Sequence, residues 1–271
     1  MHMYQKTPAF YRDLKTAVCE DSRHHKKSAE LEAVANSTMH PLQLSLRKKA
    51  RSEKISIYQN FFKTGKGEYG EGDIFIGVTV PDTREVAQHF VSIPLPELIP
   101  ILSSKIHEDR MCGLLVLVYK FQSSHSEKDK KEVVDFYIKH HLAGNNWDLI
   151  DCVADKILGP WLMDKDKALL YKYANSDNLW ERRIAIVSTF HFIKNNSFDD
   201  TLKISEILLK DKHDLIHKAC GWMLREVGKR NKSVLVAFLK KHYHSMPRTM
   251  LRYAIERFPE RERKAYLNGT V

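Results

Sequence analysis

The sequence predicts an all-α protein, an α-solenoid of paired helices with a concave basic face. Polar caps ahead of apolar periodicity mark recurring helix starts at intervals of 37, 33, 35 and 34 residues. A second helix fits between successive starts, and such a period with two helices per unit is typical of stacked repeats. The recurring starts lie near Glu108, Asn145, Asn178, His213 and Pro247.

The first part of the chain departs from this pattern. Residues 1–30 mix polar, aromatic and charged side chains without periodicity, so we interpret them as an N-terminal extension to a repeat domain over 31–271. The glycine-rich segment 64–72 lacks the spacing of a phosphate-binding Walker motif and is interpreted as a surface loop.

In the repeat units after it, the second helix of each pair is predicted at 126–141, 165–174, 198–209 and 233–242.

Composition narrows the class of protein. The chain has 271 residues, 43% of them apolar, which is enough for a sizeable core. No apolar run approaches the roughly 20 residues that span a bilayer, and residues 1–30 lack a secretory signal. The cysteines are far apart, without Cys-x-x-Cys, so we expect no disulfide framework, metal or cofactor. We therefore expect an intracellular protein that is not embedded in a membrane; its cysteines are Cys19, Cys112, Cys152 and Cys220.

The net charge of +10 is unevenly distributed. Residues 178–271 hold 19 Lys and Arg against 10 Asp and Glu. A localised basic surface indicates a polyanionic partner, with nucleic acid first and an anionic membrane second. An ordinary solvated basic surface is the alternative.

Basic residues recur with the repeat. Arg183, Lys218 and Arg252 are spaced 35 and 34 residues apart, and Arg110 precedes Arg183 by 73 residues, about two periods. Equivalent positions of stacked repeats align, so these cations are predicted to form a row near helix N-termini that contacts a string of phosphates.

The unit between Arg110 and Arg183 offers Trp147 and Asp151 instead, four residues apart and on one helical face. Burying a carboxylate against aromatic rings in a cationic groove costs desolvation free energy. A protein that keeps such a group usually uses it, so the pair indicates a functional site. Three alternatives stay open. Trp147 could serve packing alone, Asp151 and Asp148 could complement a helix dipole, and Arg183 could pair with Glu181 or another acid.

From about residue 40 to residue 267, the chain resembles the AlkD-type alkylpurine DNA glycosylases, repair proteins built from HEAT-like helical repeats. The last three of the matching segments, in order and at matching separation, are the specific ones. The segments are Phe61–Gly65, Phe75–Val78 with Pro81, Asn146–Asp151, Trp180–Arg183 and Gly221–Glu226.

The resemblance implies particular roles for residues of this chain. Trp147, Trp222 and Asp151 are implied as catalytic residues around the modified nucleotide, together with Arg183. Phe61 aligns with a cleft tyrosine of the family and lacks its hydroxyl. The predicted DNA-binding set is therefore Arg183, Arg182, Lys218, Arg252, Arg110 and Phe61.

The implied activity is hydrolysis of the N-glycosidic bond of cationic purines such as 7-methylguanine and 3-methyladenine in duplex DNA. Asp151 would stabilise the positive charge that develops on the sugar. The resemblance also implies an open cleft without a base pocket and no base flipping. We expect a monomer in the cytoplasm, nucleoid-associated if bacterial, or in the nucleus if eukaryotic. A non-catalytic relative that binds unusual DNA structures and a HEAT-repeat scaffold for a protein partner are the alternatives.

Overall fold

The computed structural model describes residues 39–271, which are helical apart from turns and one isolated parallel bridge between Ile74 and Ile106. The predicted extension over residues 1–30 lies outside the described residues. The chain therefore folds as the all-α solenoid that its periodicity predicts.

Apart from the long segment between α2 and α3, the helices follow one another with short connections. The first six are α1 (Pro41–Arg47), α2 (Ser52–Phe61), α3 (Val80–His89), α4 (Ile99–Leu102), α5 (His107–Ser123) and α6 (Glu127–His140). The next five are α7 (Trp147–Asp151), α8 (Ala154–Leu162), α9 (Ala168–Ala174), α10 (Leu179–Ser188) and α11 (Phe190–Lys194). The last five are α12 (Asp199–Ile207), α13 (Asp214–Arg230), α14 (Lys232–His242), α15 (Arg248–Ala254) and α16 (Glu260–Asn268). Short 3₁₀ turns cover Leu95–Leu98, His141–Ala143 and Leu208–Lys210.

The predicted helix starts are confirmed to within about two residues. Asn146, Asn178 and His213 each cap a helix, because a side-chain atom accepts from a backbone N–H in the first turn. Pro247 precedes α15, whereas α5 begins at His107 without a side-chain cap. The helices that begin at these caps form one layer, in which α5, α7, α10, α13 and α15 pack in succession.

Within residues 39–271, one hydrophobic core runs along the array, from Leu42 in α1 to Tyr266 in α16. Each helix pair buries its apolar stripe against the next pair, as stacked repeats require. Burial of this kind fixes how the recurring helix starts line up, and it thereby sets the positions of the side chains discussed below.

The segment between α2 and α3 is irregular and is held by the first turn of α5. The Glu108 carboxylate accepts from the backbone N–H groups of Ile76, Gly77 and Val78 at 2.8 to 3.2 Å. Gly77 has a φ of 82° and passes against the Arg51 carbonyl, where a Cβ would collide. In this segment, hydrogen bonds from backbone N–H groups to the buried Glu108 carboxylate therefore take the place of regular backbone-to-backbone hydrogen bonds.

Candidate functional site

A cleft of about 1010 Å³ lies between the repeat helices and the irregular segment. One wall is formed by α10, α13 and α15, and the other by α2, the loop after it and α7. The structure brings together in this cleft the sequence-predicted residues Phe61, Trp147, Asp151, Arg183, Lys218 and Trp222.

Asp151 and Arg183 form an ion pair that lines the cleft. The guanidinium donates from Nε to Oδ1 at 2.9 Å and from Nη2 to Oδ2 at 2.7 Å, while Nη1 donates to the Leu215 carbonyl at 2.6 Å. The Asp151 side chain is 19% exposed and that of Arg183 only 6%. Two-point pairing fixes the orientation of the carboxylate. Arg183 thus pairs with an acid, as one alternative had it, although the acid is Asp151.

Burial raises the pKa of the Asp151 carboxyl above its usual range, because desolvation penalises the charged form. Arg183 opposes this shift, while the carboxylates of Asp148 and Asp155 reinforce it. A fixed charge with little solvent around it acts more strongly on its neighbours than the same charge in water. The site can therefore stabilise a cation placed next to Asp151.

Aromatic rings cover the side of the cleft around Asp151. Trp147 stacks on Phe62 at 5.3 Å between centroids and meets Phe61 edge-on at 5.6 Å. On the other wall, Trp222 lies 5.5 Å from Phe190. Gly221, next to Trp222, lets α15 approach α13, because a Cβ there would collide with α15. Both predicted tryptophans therefore reach the cleft, and packing holds each of them.

Three cations line the cleft beside the Asp151–Arg183 pair. Lys218 lies 2.7 Å from Asp214, and this hydrogen bond raises the pKa of Lys218. Arg225 pairs with Glu256, and Lys63 is exposed at the start of the glycine-rich loop. Cationic side chains around a carboxylate and aromatic rings suit a polyanion that carries a reactive group.

Two of the predicted DNA-binding cations lie elsewhere. Arg110 is 5% exposed and donates to the Ser104 carbonyl and to Asp73. Arg182 donates to the Ser176 carbonyl and to Asp211, outside the cleft. Each arginine binds the carbonyl six residues before it, so both are repeat-equivalent positions that stabilise the inter-helix turn. The structure therefore places Arg110 and Arg182, both predicted to contact DNA, outside the cleft, with their donors used within the fold.

The row of cations also ends differently from the prediction. Arg252 is exposed outside the cleft, and Tyr253 takes its place in the lining. Tyr253 follows Lys218 by 35 residues, the same interval that separates Lys218 from Arg183. In the last unit the structure therefore places Tyr253 in the cleft, one residue after Arg252, which the interval of 34 had selected.

Sequence reasoning missed three further charged or aromatic cleft residues, Lys63, Tyr69 and Arg225. Lys63 directly precedes the glycine-rich segment 64–72 and Tyr69 lies within it, and that segment was interpreted only as a surface loop. Lys63 adopts a φ of 54°, and Tyr69 packs edge-on against Trp180 at 6.3 Å. The signal available in the sequence was an aromatic and a basic residue among glycines, because glycine-rich backbone bends sharply enough to fold over a neighbouring surface.

A second, smaller cavity of about 350 Å³ adjoins the cleft, and Phe61, Trp147 and Asp151 line both. We call it the aromatic cavity; its walls include Tyr58, Phe61, Phe62, Phe75, Trp147 and Asp148. The sequence reasoning, which implied an open cleft without a base pocket, gave no sign of this adjoining cavity. Periodicity could not reveal this cavity, since Phe62 and Phe75 come from the irregular segment.

Within residues 39–271, no group of three or more His, Cys, Asp and Glu side chains is arranged to hold a metal ion. The same part of the chain contains no helix with the length and apolar character that crossing a membrane requires. Burial raises the pKa of the thiols of Cys112, Cys152 and Cys220.

The fold and the cleft define an α-solenoid with an acidic and aromatic site between cationic side chains. A family model described as DNA alkylation repair enzyme matches residues 42–258, so the chain belongs to that family. A solved structure, described as a predicted DNA alkylation repair enzyme from Enterococcus faecalis, has a TM-score of 0.61 and 15% identity. It covers 78% of this chain and 98% of its own, and at this identity the likeness shows the fold. No curated protein matches the sequence.

Proposed function

We propose that this protein is a DNA glycosylase that hydrolyses the N-glycosidic bond of purines alkylated at N7 or N3 in duplex DNA. Membership of the DNA alkylation repair family supports a role in DNA repair. The observation that carries the proposal is Asp151, a partly exposed carboxylate that Arg183 holds in a cleft also lined by Trp147 and Trp222.

The chemistry of the lesion explains why one carboxylate suffices. A purine alkylated at N7 or N3 carries a positive charge, which already weakens its bond to the sugar. As the bond breaks, positive charge moves to the deoxyribose, where Asp151 stabilises it and can position the attacking water. Trp147 and Trp222 attract the same charge through their ring faces.

The remaining cleft residues bind and position. Lys63, Lys218 and Arg225 contact phosphates on either side of the lesion, while Arg183 holds the Asp151 carboxylate. Arg183 is therefore a positioning residue in this proposal, and its contribution to phosphate binding is smaller than the sequence led us to expect. The excision step requires Asp151 next to the sugar, whether the lesion stays stacked or leaves the helix.

One observation favours a second candidate, a non-catalytic protein that binds DNA. Both oxygens of Asp151 accept from Arg183, as in an ion pair that serves stability alone. Such a protein would bind duplex DNA with a steep salt dependence and release no base.

Asp151→Asn separates the two candidates. The amide keeps the shape of the side chain and removes the charge, so the rate of base release from methylated duplex DNA should fall about a hundredfold or more. Binding to undamaged duplex should change little. Chromatography of the released bases gives the rate.

Asp155→Asn is the matched control, since Asp155 is a 3% exposed carboxylate that pairs with Lys156 and Lys194 outside the cleft. Once thermal melting shows that it is folded, this variant should release bases at no less than the parental rate, because losing the Asp155 charge relieves part of the rise in the pKa of Asp151. Parental release by Asp151→Asn would remove Asp151 from the mechanism. Tight DNA binding by the parental protein without any release would favour the second candidate.

A further inference from the structure

The glycine-rich segment 64–72 carries one aromatic side chain, Tyr69, into the cleft. The backbone beside Tyr69 is fastened, because the Gly70 N–H donates to the Lys63 carbonyl at 2.9 Å. Gly70 is buried and lies so close to the Phe62 carbonyl that a Cβ would collide with it. The segment therefore follows a fixed course, and it presents Tyr69 to the cleft from a fixed point.

Tyr69 reaches the opposite wall of the cleft. Its ring packs edge-on against Trp180 of α10, at 6.3 Å between centroids. Lys63, Tyr69 and Trp180 also line an adjoining groove of about 500 Å³, which includes His213 at the start of α13. The Tyr69 side chain is half-buried, so its exposed part is within reach of a ligand in the cleft or in the groove.

The hydroxyl of Tyr69 lies near two other side chains of the cleft. Burial raises the pKa of this hydroxyl, while its interactions with Trp147 and with the positive charge of Lys218 oppose the rise. The phenol therefore keeps its proton at neutral pH and has it available for a hydrogen bond. Lys218 is 43% exposed and comes from α13, on the wall opposite the loop. A neutral donor and an ammonium group thus face the cleft from its two walls.

Such a pair of groups suits a phosphate of the DNA backbone. Lysine and tyrosine side chains are among the common phosphate contacts of DNA-binding proteins, and these contacts fix the register of the duplex. Register matters in this cleft, because Asp151 lines it too and acts on the sugar in the proposed mechanism. A displacement of the reacting group by about 1 Å is enough to slow a reaction about a hundredfold.

We propose that Tyr69 is a positioning residue whose hydroxyl donates to the phosphate beside the damaged nucleotide, while Lys218 binds the same phosphate from the opposite wall. The proposal rests on the proposed function and gives the glycine-rich segment a part in it. A phosphate held from two sides presents its sugar to Asp151, and this arrangement needs no base pocket.

Tyr69→Phe tests the hydroxyl alone, since the ring against Trp180 stays and the melting temperature should be parental. Single-turnover release of 7-methylguanine should fall about tenfold or more, the loss expected for one hydrogen bond to a charged group. Binding to undamaged duplex should weaken without a change in salt slope, because the hydroxyl carries no charge. Tyr119→Phe is the matched control, because Tyr119 is a half-buried tyrosine of α5 that lines neither the cleft nor the groove.

The decisive measurement uses duplexes in which a neutral methylphosphonate replaces one phosphate at a time around 7-methylguanine. At the phosphate that Tyr69 contacts, the parental rate should fall, and the further loss caused by Tyr69→Phe should shrink to about twofold or less. Lys218→Ala should lose most of its effect at the same position. At the other phosphates, both variants should keep their full losses.

A shared position for Tyr69→Phe and Lys218→Ala supports the proposal. Parental release by Tyr69→Phe overturns it, and so does an equal loss on every methylphosphonate duplex, which would assign the hydroxyl to the packing of the cleft. The proposed function fails separately, by an absence of base release from the parental protein. Binding of undamaged methylphosphonate duplexes would then still test the contact, since Tyr69→Phe should weaken binding to all of them except the one neutral at that phosphate.

Discussion

The wall formed by α10, α13 and α15 contributes Arg183, Lys218 and Tyr253 from successive repeat helices, at intervals of 35 residues. The opposite wall takes Phe61 from the end of α2 and Tyr69 from the loop that follows. One wall is therefore built by repetition alone, whereas the other combines α2 and α7 with an irregular segment that buried charges hold in place.

The difference between the walls suits two different functions, phosphate binding by one wall and contact with the reacting group by the other. Repetition places side chains at regular intervals, which suits the regular spacing of phosphates. The irregular wall places aromatic rings and acids close together, where one reacting group would lie. Buried bonds from His107, Glu108 and Arg110 hold that wall, so it depends on electrostatics more than the repeat wall does.

The largest expected effect concerns the ion pair between Asp151 and Arg183, which joins the two walls of the cleft. Arg183→Ala leaves the Asp151 carboxylate without its partner, which should lower the free energy of unfolding by about 3–5 kcal/mol. The salt dependence of DNA binding should stay unchanged, since the guanidinium is buried and occupied. Urea unfolding and DNA titrations at several salt concentrations measure both. Parental stability together with a shallower salt slope would return Arg183 to the phosphate-binding residues.

A second prediction concerns the irregular wall, whose contribution to the free energy of unfolding should depend on pH through His107. Burial disfavours the charged imidazole of His107, but Asp148 and Asp73 overcome this and raise its pKa from 6.5 to about 9. A raised folded-state pKa contributes stability below pH 6.5 that is lost as the pH rises to about 9. This loss should amount to about 3 kcal/mol.

His107→Asn should be less stable at pH 6 and should lack most of this pH dependence in urea unfolding. His125→Gln changes an exposed histidine and should keep the parental profile. A parental profile in His107→Asn would mean that this buried network does not support the wall.

The smallest effect tests whether both walls contact phosphates. Lys218→Ala and Lys63→Ala should each make the log–log salt slope of duplex binding shallower by about 0.9, because each lysine accounts for one phosphate. Arg252→Ala is the control and should leave the slope unchanged, since Arg252 lies outside the cleft. A change in Arg252→Ala but not in Lys218→Ala would restore the cation row as first predicted.

The repeat wall could be predicted from the sequence because its signals are local and recur. Caps such as Asn178 and His213, followed by apolar periodicity, located the helices to within about two residues. Arg183 and Lys218 each lie five residues after their cap, and so does Asp151 in α7 on the opposite wall, so one register brings all three to the cleft.

The irregular wall could not be predicted in the same way. Asp73 and His107 are 34 residues apart, and no period relates them; only the folded chain shows that they bond. Arg110 looked like a member of the cation row because it precedes Arg183 by 73 residues, which is close to two periods. The position equivalent to Arg110 is Arg182, however, and a shift of one residue turns a helical side chain away from the cleft and into the fold. The aromatic cavity was missed because Phe62 and Phe75 come from the irregular segment, which has no period.

The most direct test of the account is base release from matched duplexes that each carry a single lesion. A site with one carboxylate relies on the positive charge of the lesion to weaken the bond, so 7-methylguanine and 3-methyladenine should be released. Uracil and 8-oxoguanine should remain, because their neutral bases need an activation that Asp151 alone does not provide. Chromatography of the free bases measures all four. Release of uracil with 7-methylguanine left in the duplex would contradict the account.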